Sequence, residues 1–74
     1  MIIFTQHSLL KLKQRKISKI LVIKTLKNPD NVLKSYSNRK IAYKKFNRRF
    51  LKVIFKTEKQ NFIVITQYLI KEIK

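Results

Sequence analysis

Apolar residues recur with one spacing before Pro29 and with another after it. Ile2 to Phe4 is a short apolar run and reads as a first strand. Thr5 can cap a helix starting near Gln6, its hydroxyl accepting from a free N–H of the first turn. From His7 to Lys16, Leu9, Leu10 and Leu12 predict a narrow apolar stripe, while His7, Lys11 and Arg15 follow at intervals of four and share another face. Ile17-Ser18 ends that helix and caps a second one. Its buried side is expected to carry Ile20, Leu21, Ile23 and Leu26, with Lys19, Lys24 and Lys27 outside. Asn28-Pro29-Asp30 stops it, because the residue before a proline is pushed out of the helical region.

Beyond Pro29 the pattern is alternation. Asn31 to Tyr36 predicts a short strand and Ser37-Asn38-Arg39 a turn, with Asn38 best suited to positive φ in a chain that has no glycine. Lys40 to Phe46 sets Ile41 and Tyr43 against Ala42 and Lys44. After a tight turn at Asn47-Arg48-Arg49, Phe50 to Lys56 sets Leu51, Val53 and Phe55 against Phe50, Lys52, Ile54 and Lys56. Thr57 to Asn61 reads as a loop, and Phe62 to Leu69 is apolar on both faces at first, as a central strand would be. The chain is expected to end in strand or a frayed turn. The resulting fold class is α+β: a short first strand, two helices, then a four-strand antiparallel meander with the helices on one face.

Composition sets the conditions for this fold. Residues 1–74 make one domain, of a size that buries only about 60% of its unfolded surface. With no Cys, there is no disulfide, thiolate metal site or cysteine nucleophile. One His and three acids, Asp30, Glu58 and Glu72, argue against a metal or other cofactor and against a two-carboxylate mechanism. No apolar run approaches the roughly 18 residues of a membrane-spanning helix, and Met1 to Phe4 is too short for a signal-peptide core, so no membrane partner and a cytoplasmic location are expected. Against the three acids stand 19 Lys and Arg, a formal net charge of +16. Such an imbalance opposes compaction and calls for a polyanion, with nucleic acid the first candidate, an acidic protein the second and an anionic membrane surface the third.

The order of elements and the residues that carry it resemble the small RelE/ParE-like toxins of type II toxin–antitoxin systems. The chain is most similar to an uncharacterised family of RelE-like domains with an HAxxRMxxR-type helix, an "NPd" helix end, and strands of the type "yLkVif" and "iiViTaY". The corresponding stretches are His7 to Arg15, Lys16-Ile17-Ser18, Leu26 to Asp30, Tyr43-Lys44-Lys45, Phe50 to Phe55 and Ile63 to Tyr68. Three positions depart from the pattern: Lys11 where Arg is frequent, Lys16 where Gly is frequent, and Gln67 where a small residue is common. The resemblance implies a toxin-like protein paired with an acidic antitoxin and, for the RelE branch, RNA cleavage without a metal. The ParE branch acts on a protein target instead.

Metal-free cleavage of RNA needs a base for the 2′-OH, cations for the charge that builds on phosphorus, and an acid for the leaving oxygen. His7 with Lys11 and Arg15 is the candidate stripe, and Tyr68 a candidate for stacking on a base or donating to a phosphate. These four are the expected catalytic residues. Arg39, Tyr43, Lys44, Lys45, Arg48, Arg49 and Lys52 are the expected RNA-tracking set. For each there is a plainer role: helix start for His7, solvated face for the lysines, half-buried sheet residue for the tyrosines. The expected function is therefore a toxin-like RNA-binding protein and metal-independent endoribonuclease. The alternatives are a non-catalytic toxin that binds a protein and a basic nucleic-acid-binding module without toxicity.

Overall fold

The computed structural model describes residues 1–71 of the chain. The elements run β1 (Ile2–Phe4), α1 (Gln6–Arg15), α2 (Lys19–Lys27), β2 (Asn31–Lys34), β3 (Arg39–Phe46), β4 (Arg49–Glu58) and β5 (Asn61–Ile70). The fold is α+β, two helices on a five-stranded sheet of order β1-β5-β4-β3-β2. β2 to β5 pair antiparallel in sequence order, and β1 joins parallel to β5 through Ile2↔Phe62, Ile3↔Ile63 and Phe4↔Val64. The sheet is thus mixed, which corrects the expectation of a purely antiparallel one. The reason is topological: both helices lie between β1 and the meander, and that long crossover brings β1 alongside β5 in parallel. The expected chain end falls partly on residues 72–74, outside the described residues.

Local chemistry explains the boundaries. The Thr5 hydroxyl accepts from Ser8 N at 3.0 Å and that of Ser18 from Ile20 N at 3.1 Å, capping the two helices. Lys16 ends α1 in the left-handed region at φ 55°, a conformation that glycine adopts without cost. Ser37 and Asn38 both take positive φ in the β2–β3 turn, the requirement of a type I′ hairpin. Asn47 and Lys59 do so at the next two turns. β4 and β5 extend further into the last loop than alternation predicts, with Glu58 opposite Asn61.

The core lies between the helices and one sheet face: Leu12, Ile17, Val22, Leu26, Ala42, Leu51, Val53, Phe55 and Val64. The alternation of β3 and β4 is realised as expected. The helical faces are realised only in part, Leu12 and Leu26 reaching the core and Leu21 packing against it. Leu9 and Leu10 are exposed and only Leu12 of the expected stripe is buried; on α2, Ile20 is 63% exposed while Val22 and Thr25 are fully buried. A helix lying on a twisted sheet buries a strip narrower than its apolar content, and spacing alone does not say which strip.

β5 carries the feature that matters most for the open face. Ile54 pairs with Thr66 and Phe55 with Val64, so Ile65 is an extra residue, a β-bulge. The bulge inverts the alternation beyond it. Gln67 turns inward and is fully buried, while Thr66 and Tyr68 turn to the face without helices. Two hydrogen bonds satisfy the Gln67 amide: Ser8 Oγ donates to its Oε1 at 2.6 Å, and its Nε2 donates to Ser8 O at 3.0 Å. These bonds fix α1 to β5.

Candidate nucleic-acid interface

The helix-free face of the sheet is built by alternation. β3 contributes Arg39, Ile41, Tyr43 and Lys45, β4 Phe50, Lys52, Ile54 and Lys56, and β5, beyond its bulge, Thr66, Tyr68 and Ile70. Register places Tyr43, Lys52 and Tyr68 in one row across three strands. Lys52 Nζ lies 5.2 Å from the Tyr68 ring centroid and 5.9 Å from that of Tyr43. The neighbouring Tyr68 phenol above all, helped by that of Tyr43, holds the Lys52 ammonium above the ordinary lysine value, against a smaller opposing effect of partial burial. Lys52 is therefore a fixed cation at neutral pH, not a base.

Arg15 completes the row from the opposite side. β1 reaches only to Val64, so among the described residues the β5 edge beyond it has no strand partner. Arg15 Nη1 donates there to Gln67 O at 2.8 Å and Thr66 Oγ1 at 3.2 Å, and its guanidinium carbon stands 5.4 Å from the Tyr68 ring centroid. One phenol is flanked by two cations, each at cation–π distance. Lys45, 6.0 Å from the Phe50 ring, stands in the next row. A phosphate placed beside the Tyr68 hydroxyl would meet Arg15 and Lys52 together.

The structure therefore joins Arg15, Tyr68, Lys52 and Tyr43, which the sequence divides between two expected groups. Tyr43 is only 3% exposed. Its ring supports Lys52 and is not free to stack on a base, which corrects its expected role. His7 is exposed at the start of α1. Eight residues separate it from Arg15, about 12 Å of helix axis, and Lys11 between them donates to Gln14 Oε1 at 3.0 Å. The helical stripe exists, but only its Arg15 end reaches the row.

The remaining basic residues divide by position. Lys44 lies on the helix side: its Nζ donates to Asn28 O at 2.9 Å and pairs with Asp30 at 3.6 Å, so it closes the end of α2 and is not a tracking residue. Arg48 and Arg49 line a separate cleft of about 530 Å³ floored by Leu21, Phe46 and Leu69. Arg39 stands four residues along β3 from Tyr43, about 13 Å away, opposite Lys56. Sequence reasoning missed Thr66 and the buried Ser8–Gln67 pair, because both depend on the bulge. Gln67 as a polar residue within an apolar strand was the available signal. Among the described residues no three His, Cys, Asp or Glu gather as a metal would require, and no helix is long and apolar enough to cross a membrane.

Residues 4–68 match a family model described as a domain of unknown function, DUF4258. No curated protein and no solved structure matches the chain significantly.

Proposed function

The chain belongs to the DUF4258 family, and we propose that it binds single-stranded RNA through the row of Arg15, Tyr68 and Lys52. The observation that carries this reading is the pair of cations on one half-exposed phenol, on a sheet face that the helices leave uncovered. Phosphate would engage Arg15 and Lys52, which flank the Tyr68 ring, and a base would pack against the ring's open edge beside the apolar Ile54 and Ile70. Aromatic residues on an open sheet are a recurrent platform for unstacked bases. The net charge of +16 supplies long-range attraction to any polyanion. Tyr68→Ala should weaken binding to a single-stranded oligoribonucleotide about tenfold or more, the range expected for one lost base–aromatic contact. Lys52→Gln should weaken it less, and equally for all sequences. Unchanged affinity in both variants, measured by fluorescence anisotropy, would remove the row as the site.

Endonucleolytic cleavage is the second reading, favoured by the same geometry. Arg15 and Lys52 suit the charge that develops on phosphorus as the 2′-oxygen attacks and the 5′-oxygen departs, and the Tyr68 hydroxyl can protonate that leaving oxygen. The row holds no side-chain acceptor for the 2′-OH proton, and His7 stands about 12 Å along α1 from Arg15, so in this reading that proton passes to water while Tyr68 protonates the leaving oxygen. Discrete RNA fragments formed in EDTA and lost in Tyr68→Phe would establish this step. Binding without cleavage would leave the chain a toxin-like or regulatory RNA-binding module. An acidic partner of the antitoxin kind would occupy the same cations and block either activity.

A further inference from the structure

We propose that the β2–β3 hairpin end forms a second anion site that takes a phosphate group. The cross-strand register carries the inference. Lys34 pairs directly with Lys40 on one sheet face, and Arg39 directly with Lys56 on the other. Like charges directly opposite one another destabilise a sheet. Two such pairs sit at one end of this one, and no carboxylate lines the cleft between the strands there. That cleft, about 540 Å³, is lined by Lys34, Arg39 and Lys40 with the hydroxyl-bearing Ser35, Ser37 and Thr57. The hairpin is held in shape by Ser35 N donating to Arg39 O at 2.8 Å and by the positive φ of Ser37 and Asn38.

Three cations and three hydroxyls match the chemistry of a phosphate, which accepts several hydrogen bonds and carries the compensating charge. A carboxylate ligand would leave most of these donors unused. A cation is excluded by the lining. The site is distinct from the Arg15–Tyr68–Lys52 row: Lys34 and Lys40 lie on the helix side of the sheet, and Arg39, although on the row's face, stands about 13 Å along β3 from Tyr43. Phosphate recognition here does not depend on the RNA reading. The group can come from free phosphate, from a terminal phosphomonoester or from a backbone diester.

Amide NMR titration separates these sources, with inorganic phosphate, a 5′-phosphorylated oligoribonucleotide and the same oligomer unphosphorylated as probes. The amides of residues 35–40 and of Thr57 should shift with phosphate and not with chloride at equal ionic strength. Lys34→Ala with Lys40→Ala should abolish that response while Tyr68 and Lys52 still respond to RNA. Binding of the phosphorylated oligomer about tenfold tighter than the other would assign a terminal monoester, one charge-assisted bond being enough for such a ratio. Equal affinities, with the hairpin shifting in both, would assign a diester. Thermal unfolding gives an independent reading: phosphate should raise the melting temperature of the wild type, and the double variant should start higher at low salt and gain nothing. A hairpin silent to all three probes, or shifting equally with chloride, would overturn the site. A hairpin that answers phosphate while Tyr68 and Lys52 ignore RNA would overturn only the RNA reading.

Discussion

Gln67 shows how much one residue can decide. Its side chain is fully buried and fully satisfied by Ser8, and its carbonyl oxygen receives Arg15. It therefore couples the packing of α1 to the position of the guanidinium beside Tyr68. Gln67→Leu should destabilise the fold by about 1–3 kcal/mol, because the Ser8 hydroxyl would be left buried without a partner. Adding Ser8→Ala should return part of that loss, and denaturant unfolding of the four-member cycle measures the coupling. Additive losses would contradict the pairing. In the sequence Gln67 stands out only as a departure from a family pattern. Its role was not legible because alternation assigns it a face only once the bulge at Ile65 is known.

At the scale of elements, the second half of the chain was the more legible. Alternation sets Leu51, Val53 and Phe55 on one face of β4, and that face is the buried one. Period two leaves no freedom in a strand paired on both sides. α1 and α2 were located by Thr5, Ser18 and Pro29, but their buried strips were misassigned at Leu9, Leu10 and Ile20. A parallel partner for β1 could not be read from Ile2 to Phe4 at all, since three apolar residues fit either edge of the sheet. The junction between α2, β2 and β3 is tied by Asp30, whose carboxylate accepts from Lys45 N at 2.8 Å and pairs with Lys44. The Lys45 N–H above all, and then the Lys44 charge, hold Asp30 below the usual carboxylate value. A depressed folded-state pKa contributes stability above the unfolded value and loses it as pH falls through the folded one. The melting temperature should therefore decline below about pH 4, the ordinary range for Asp, and Asp30→Asn should flatten that decline. An identical acid profile in the variant would remove Asp30 as the tie.

At the scale of the whole molecule, charge dominates. The three acids can neutralise few of the 19 basic side chains. The structure divides the cations by duty: Lys44 closes a helix, Arg15 and Lys52 flank Tyr68, Lys34 and Lys40 face each other, and Arg48 and Arg49 edge an apolar cleft. The candidate site was half legible. Arg15, Lys52 and Tyr68 were singled out by residue type, but strand register and the bulge, which bring them into one row, were not visible. His7 was grouped with Arg15 by helical spacing, which gives a shared face and not a shared site.

The central claim, that this row grips RNA through its phosphates, is tested most directly by the salt dependence of binding. For single strands each neutralised phosphate contributes about −0.7 to the slope of log K against log salt. The wild type should show a slope of about −3 or steeper, and Lys52→Gln should reduce its steepness by about 0.7, one phosphate contact. A flat profile in the wild type, or the same slope in both proteins, would contradict the claim.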